Sequence, residues 1–239
     1  FVGEVILTWD HSKGQLTRKE AYTTNITHLA KDLPTEQSLH LLSEQAEKVL
    51  QDPIIHTIKP IDVNWFKPTK IMEYLTEELR EFTKADISML NAGILLDVFP
   101  AGTITYGDIH EICPHPINPC VVELSGAEVI EVVRASLTKD FMELKLKGFG
   151  FRGEVLGKMI FSGLEVKVGY HDYGEEYVKE VTHLGNPLSM DRTYMLATAD
   201  TFTFGRLLPE IAKSETKNLF LPEFIRDLLV TTLKKHFSS

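Results

Sequence analysis

The stretch PCVVELSGAEVIEVVRASL, residues 119–137, changes its periodicity in mid-course, and this narrows the fold more than any other feature of the chain. It opens as a strand, with Val121, Val122 and Leu124 among its first residues. At Ser125 the pattern switches. Ser125 and Glu128 stand at capping-box spacing, and an apolar helical face follows. The segment TYGDIHEI, residues 105–112, repeats the device on a smaller scale, with Thr105 as the cap and Asp108 in the first helical turn. A chain that turns strands into capped amphipathic helices has to pack helix against sheet.

The remaining patterns agree with that constraint. Residues 1–24 alternate apolar and polar, which suits two strands joined by a turn at Asp10–Gly14. Residues 35–51 place Leu39, Leu42, Ala46, Val49 and Leu50 at helical spacing, with Thr35 as the expected N-cap. Asp52-Pro53 stops that helix, and a boundary is expected there, between residues 1–52 and 53–239. The segment PTKIMEYLTEELREFTK, residues 68–84, predicts a helix with Ile71, Met72, Leu75, Leu79 and Phe82 on one face. ADISMLNAGILL, residues 85–96, reads as a buried strand entering a turn at Asn91–Gly93. Further strands are expected at Lys158–Val168, Val178–His183 and Tyr194–Thr198, and a last helix from about Pro222 to Lys235. Strands and helices that alternate irregularly, with hairpins among them, indicate an α+β domain.

With 239 residues, 43% of them hydrophobic, the chain can bury a large core. A net charge of −9 argues against a nucleic-acid partner, whose phosphates require a basic surface. No apolar run is long enough to span a bilayer, so no membrane segment is expected. The chain begins at Phe1 in a strand-like pattern, and its N-terminus is expected to be a cut within a longer protein. The two cysteines build no disulfide framework, which points to a cytoplasmic setting. An exported or cell-surface location is the alternative. The sequon Asn25-Ile-Thr27 reads as a chance match.

Both cysteines fall within ICPHPINPC, residues 112–120, a loop with three prolines. Four readings compete. Zinc would need Cys113, Cys120, His110 and His115 together, at a spacing that matches no familiar module. A Cys113–Cys120 disulfide is sterically feasible. Alternatively, the cysteines are small buried hydrophobes and the prolines shape the loop. In the fourth reading the loop also holds the His115 ring at the mouth of a pocket, where imidazole can stack and hydrogen-bond. The residues favour the third reading for the cysteines and the fourth for His115.

Four elements, in order and spacing, resemble the C-terminal domain of the 5'-nucleotidase family, which includes UDP-sugar hydrolases and 2',3'-cyclic phosphodiesterases. They are ADISMLNAG at 85–93, GTITYGD at 102–108, the Pro114 loop, and VVELSGAE at 121–128. A weaker likeness continues through TYMLATAD at 193–200. The resemblance implies a layered helix-sheet-sheet-helix domain that grips the nucleoside part of a substrate. It also implies a separate N-terminal metallophosphatase domain of the same polypeptide, which would hold two divalent metal ions and perform the hydrolysis. Residues 1–24 would then be terminal strands of that domain, and 35–51 a linker helix. The chain itself contains no D-x-H, G-N-H-D/E or G-H-x-H pattern. No catalytic residue, metal ligand or cofactor is therefore expected within it, and the isolated chain is expected to be inactive.

The resemblance assigns pocket positions to Asn91, Gly93, His115 and Asp200. Asn91 can equally be read from its residue type as a turn residue bonding its own backbone, and Asp200 as a turn cap. Leu96 stands where the family presents a phosphate-binding Arg, and His115 where it presents a stacking Phe. Phe202 or Phe204 takes the place of a second stacking Phe, although the Gly-Gly-Asp turn that normally follows is absent. The segment KGFGFRGE, residues 147–154, offers compensation: Phe149 and Phe151 as a clamp for a planar base, and Arg152 as a bidentate anion contact. The competing reading is a glycine-rich hairpin with Phe in the core and Arg in solvent. The expected function is substrate recognition for a 5'-nucleotidase-like phosphoesterase, with a nucleotide or nucleoside-like molecule as partner. The alternative is a small-ligand-binding module without phosphatase activity.

Overall fold

The structure is a computed structural model that describes every residue except Phe149, Tyr173, Glu175, Arg206 and Ser239. It divides into two compact units, Phe1–Glu47 and Lys48–Ser239.

In the first unit β1 (Val2–Asp10) and β2 (Gln15–Thr24) form an antiparallel hairpin. The turn between them is held by the Asp10 carboxylate, which accepts from the backbone N–H groups of Ser12 and Lys13, and by Gly14 at a φ of +60°. Helix α1 (Leu33–Leu50) begins two residues earlier than its apolar spacing suggests. The reason is Asp32, which accepts from the Thr35 N–H at 3.0 Å and takes the capping role expected of Thr35. No residue of α1 is buried.

The second unit contains the core. Its centre is a five-stranded sheet of β4 (Ile87–Asn91), β6 (Pro119–Ser125), β7 (Met159–Ser162), β11 (Thr193–Ala199) and β12 (Lys217–Leu219), in the order β12-β6-β11-β4-β7. β4 and β11 run parallel; β6, β7 and β12 are antiparallel to their neighbours. All five residues of β4 are buried, as a central strand covered on both faces requires. One covering layer is α2 (Lys70–Thr83) with α7 (Ile225–His236). The Ser88 hydroxyl donates to Thr76 O of α2 at 2.6 Å, which turns Ser88 and Leu90 to this layer and Ile87 and Met89 to the opposite face.

The smaller elements are β3 (Pro53–Thr57) paired with β5 (Gly102–Thr105), the helices α3 (Tyr106–Ile112), α4 (Gly126–Ser136), α5 (Lys139–Met142) and α6 (Pro209–Lys213), and a three-stranded sheet. That sheet comprises β8 (Glu165–Tyr170), β9 (Glu176–His183) and β10 (Asn186–Pro187). Both capping boxes are present: the Asp108 carboxylate accepts from the Thr105 N–H at 2.7 Å, and Glu128 from Ser125 at 2.8 Å.

Three expectations change. The strand expected over Lys158–Val168 is two strands, β7 and β8, broken at Gly163, whose φ is +78°. On α2 the buried stripe ends on Thr83, not Phe82; Phe82 is 36% exposed and its ring packs 5.6 Å from that of Phe220. Finally, α7 starts at Ile225, after Pro222, where the Asp227 carboxylate accepts from the Phe224 N–H at 2.7 Å.

Candidate functional site

Strand directions bring the nominated residues to one end of the five-stranded sheet. β4 and β11 are parallel, so the turn after Asn91 and the segment after Ala199 leave at the same edge. β6 pairs antiparallel with β11, with Pro119 opposite Ala199, so the proline loop enters at that edge too. β7 pairs antiparallel with β4, with Met159 opposite Asn91, and this brings in the 147–158 segment. Four loops therefore gather at the carboxyl ends of β4 and β11, where sheets flanked by helices commonly build binding sites.

The first loop is clasped by the fourth. The Asn91 side-chain amide donates to Leu156 O at 2.9 Å, and the Gly93 N–H donates to the same oxygen at 2.8 Å. The Ala92 N–H donates to Lys158 O at 2.9 Å. A side chain at position 93 has nowhere to go, because its Cβ would lie 1.9 Å from Val155 O. Asn91 and Gly93 are both buried, and together they make a clasp between two loops.

His115 ties three loops together. Its Nε2 donates to Ile94 O at 2.8 Å, and its Nδ1 accepts from the Arg152 backbone N–H at 2.9 Å. These partners fix the neutral tautomer with the proton on Nε2. Burial lowers the imidazole pKa from 6.5 to about 4, helped by the nearby Arg152 charge. The Phe151 ring lies parallel to the imidazole, 5.1 Å away at 7°. His115 is 0% exposed and Phe151 3%. The proline loop and the 147–154 segment thus meet as their residue types suggest, but their two rings stack on each other, in the core. The His115 ring is not presented at a pocket mouth: both of its nitrogens and one face are taken up within the chain.

Arg152 itself is exposed, its guanidinium reaching only Phe151 O, at 3.5 Å. Phe149 lies outside the described residues. Of the two candidate stacking rings after β11, Phe202 is 1% exposed and Phe204 51%. Asp200, half-buried between β11 and that segment, has its carboxyl pKa raised by burial, against hydrogen bonds from Asn118 and Thr201 that lower it. Leu96 is half-buried, and its N–H donates to Ile112 O at 2.9 Å. Among the described cavities, none is lined by these residues.

The cysteines are free and buried; burial pushes the Cys113 thiol up to about 12 and the Cys120 thiol to about 11, so both stay protonated and unreactive at neutral pH. Among the described residues, no three His, Cys, Asp or Glu side chains come together to hold a metal ion. No helix there is long and apolar enough to cross a membrane.

Sequence reasoning missed two contributors. Trp65 donates from its indole to Leu95 O at 2.8 Å, and its own carbonyl accepts from Lys158 N–H. Val155–Gly157 forms the other half of the Asn91–Gly93 clasp. The available signal was Gly157, which has a φ of +73° and packs against the carbonyl oxygen of Trp65.

The family model for the C-terminal domain of 5'-nucleotidases matches residues 52–206, more than half of the chain. The chain belongs to the 5'-nucleotidase C-terminal domain family. An uncharacterized metallophosphoesterase, YunD of Bacillus subtilis (strain 168), is 36% identical over 234 residues, which cover 98% of this chain and 51% of that protein. The 5'-nucleotidase precursor of Thermus thermophilus has a similar structure, with a TM-score of 0.66 at 16% identity, covering 99% of this chain and 47% of its own. The NAD nucleotidase of Haemophilus influenzae gives 0.63 at 14% identity, covering 97% and 46%. The chain thus spans about half the length of these relatives. The α+β fold expected for a 5'-nucleotidase C-terminal domain is the fold observed.

Proposed function

We propose that this chain is the substrate-recognition half of a metal-dependent phosphoesterase acting on nucleotides or related phosphate esters. The observation that carries the reading is the convergence of four loops at the carboxyl ends of β4 and β11, in a member of the 5'-nucleotidase C-terminal domain family. Two divalent metal ions and the hydrolytic step belong to a metallophosphatase domain of the same polypeptide.

In this reading the roles divide by exposure. Asn91, Gly93, His115 and Phe151 hold the loops in register; Phe202 fills the core beneath them. The exposed groups meet the ligand. Arg152 offers a planar, bidentate contact to phosphate in place of the Arg that Leu96 replaces. Phe204 offers a ring face to a base, worth about 1–3 kcal/mol. Asp200 accepts from a ribose hydroxyl.

The hairpin supports the catalytic-domain partner. It exposes Val5, Leu7 and Trp9 on one face and Val2 and Ile6 on the other. Apolar residues on both faces suit strands within a sheet covered on both sides.

Leu96, whose side chain carries no donor, favours a second reading, a small-ligand-binding module without phosphatase activity. One experiment separates the two: assay the two-domain protein with manganese against a panel of nucleotides and sugar nucleotides. Turnover of at least one ester, abolished by chelation, is expected. Absence of turnover on every ester would leave the binding module standing in its place.

A further inference from the structure

Helices α3 and α7 meet beside the proline loop. Two hydrogen bonds fix the start of α7 there: the Ile225 N–H donates to Ile117 O at 2.9 Å, and the Asn118 side-chain amide donates to Glu223 O at 2.7 Å. Arg226, in the first turn of α7, is half-buried, and its Cζ lies 4.7 Å over the centre of the Phe224 ring. Its Nη1 reaches Nδ1 of His110, on α3, at 3.5 Å. His110 is exposed, so solvent reaches the pair.

This cluster lacks a counter-charge. Of the six described arginines, Arg18, Arg80, Arg134 and Arg192 each pair with a carboxylate. Arg226 pairs with none among the described residues, although the chain carries a net charge of −9. The neighbouring Asp227 carboxylate is turned to the Phe224 N–H, from which it accepts at 2.7 Å. A guanidinium held over a ring keeps its donors in a fixed fork, and such a fork matches the oxygens of a phosphate.

His110 supplies a further donor. Burial and then the Arg226 charge hold its pKa below the ordinary value, against Asp227, which raises it, so the free imidazole is neutral at pH 7. β5, which also packs on α3, has no ionisable side chain. A dianion beside the ring favours its protonated form, and Nδ1 then donates.

We propose that Arg226 and His110 bind a phosphate group, the guanidinium taking two of its oxygens and the imidazolium a third. Binding moves one proton from solvent onto His110 Nδ1, so affinity rises as pH falls from the bound towards the free pKa of that ring. The phosphate is either free, as ester hydrolysis releases it, or carried on an organic ester. Neither residue belongs to the loop-end set of Arg152, Phe204 and Asp200, so the inference stands apart from the substrate-recognition reading.

The first test follows His110 by NMR through a pH titration of the chain, in sodium sulfate and in sodium chloride of equal ionic strength. Sulfate stands in for phosphate because it does not itself titrate in this range. In the wild type and in Arg152→Ala, the His110 pKa should stand about one unit higher in sulfate. In Arg226→Gln, which breaks no ion pair, the two salts should give the same value. The second test is calorimetric titration with inorganic phosphate and with glycerol 2-phosphate. Arg226→Gln should weaken both at least about tenfold, and Arg226→Lys, which keeps the charge and loses the fork, by less. The tighter of the two ligands identifies the source of the phosphate. Any of three results overturns the proposal: equal His110 pKa values in the two salts for the wild type, a sulfate shift that survives Arg226→Gln, or no saturation by either phosphate compound.

Discussion

At the loop end of the central sheet, the Asn91 amide and both His115 nitrogens find partners inside the chain, whereas the buried hydroxyl of Thr198 in β11 and two at the amino end of α2, those of Thr57 and Thr69, do not. Both regions lie beside helix or strand termini, and both are built from short turns. At the loop end, the Asn91 amide bonds Leu156 O and both His115 nitrogens are taken by Ile94 and Arg152, so their contribution is rigidity. What that end can offer a ligand is what stays exposed: Arg152, Phe204 and part of Asp200. The difference teaches that a family motif can mark the frame of a site, while capacity to bind is read from the groups that stay exposed.

This contrast can be broken in several ways, and the largest expected effect is at Gly93. Gly93→Ala drives a methyl group into Val155 O, a backbone atom that cannot move without opening the clasp. Destabilisation of about 3 kcal/mol or more is expected, read from urea unfolding.

His115→Ala comes next. In the folded chain His115 protonates only near pH 4, in the unfolded chain near 6.5. Between those values the unfolded chain binds more protons, so the wild type loses stability as pH falls from about 6.5 to about 4. Above 6.5 the contribution is complete. The full span is on the order of 3 kcal/mol. The alanine variant should be less stable at pH 7 and lack this part of the acid slope. An unchanged slope would show that the imidazole is not held neutral by its partners.

Asn91→Ala removes one of two donors to Leu156 O, which keeps the Gly93 N–H. A loss of about 1–2 kcal/mol in urea unfolding is expected, less than for His115. Smallest of all, Arg152→Ala and Phe204→Ala should shift stability by no more than about 0.5 kcal/mol, because both side chains are exposed.

Much of the architecture is legible from residue order. The two capping boxes, the hairpin and the helix at 70–83 follow from periodicity and local hydrogen-bonding chemistry, which act over a few residues. The short pieces are not legible. β3, β10 and β12 have five residues or fewer and depend on distant partners for their hydrogen bonds. The candidate site divides in the same way. That the proline loop and the KGFGFRGE segment carry related roles is readable from their rings. That His115 and Phe151 stack on each other, and do not flank an open slot, depends on the Ile94 carbonyl and the Arg152 backbone N–H, which no residue type announces. Phe202 and Phe204 show the limit: two residues apart, one is in the core and the other in solvent, and the short helical turn between them sets which.

The central claim is that the exposed groups of the loop end grip what another domain cuts. Steady-state kinetics of the two-domain protein on its best nucleotide, comparing wild type with Arg152→Ala and Phe204→Ala, test it most directly. The account predicts a KM raised about tenfold in each variant, as expected for loss of a stacking or charge-assisted contact, with kcat nearly unchanged. Wild-type KM in both variants would contradict it.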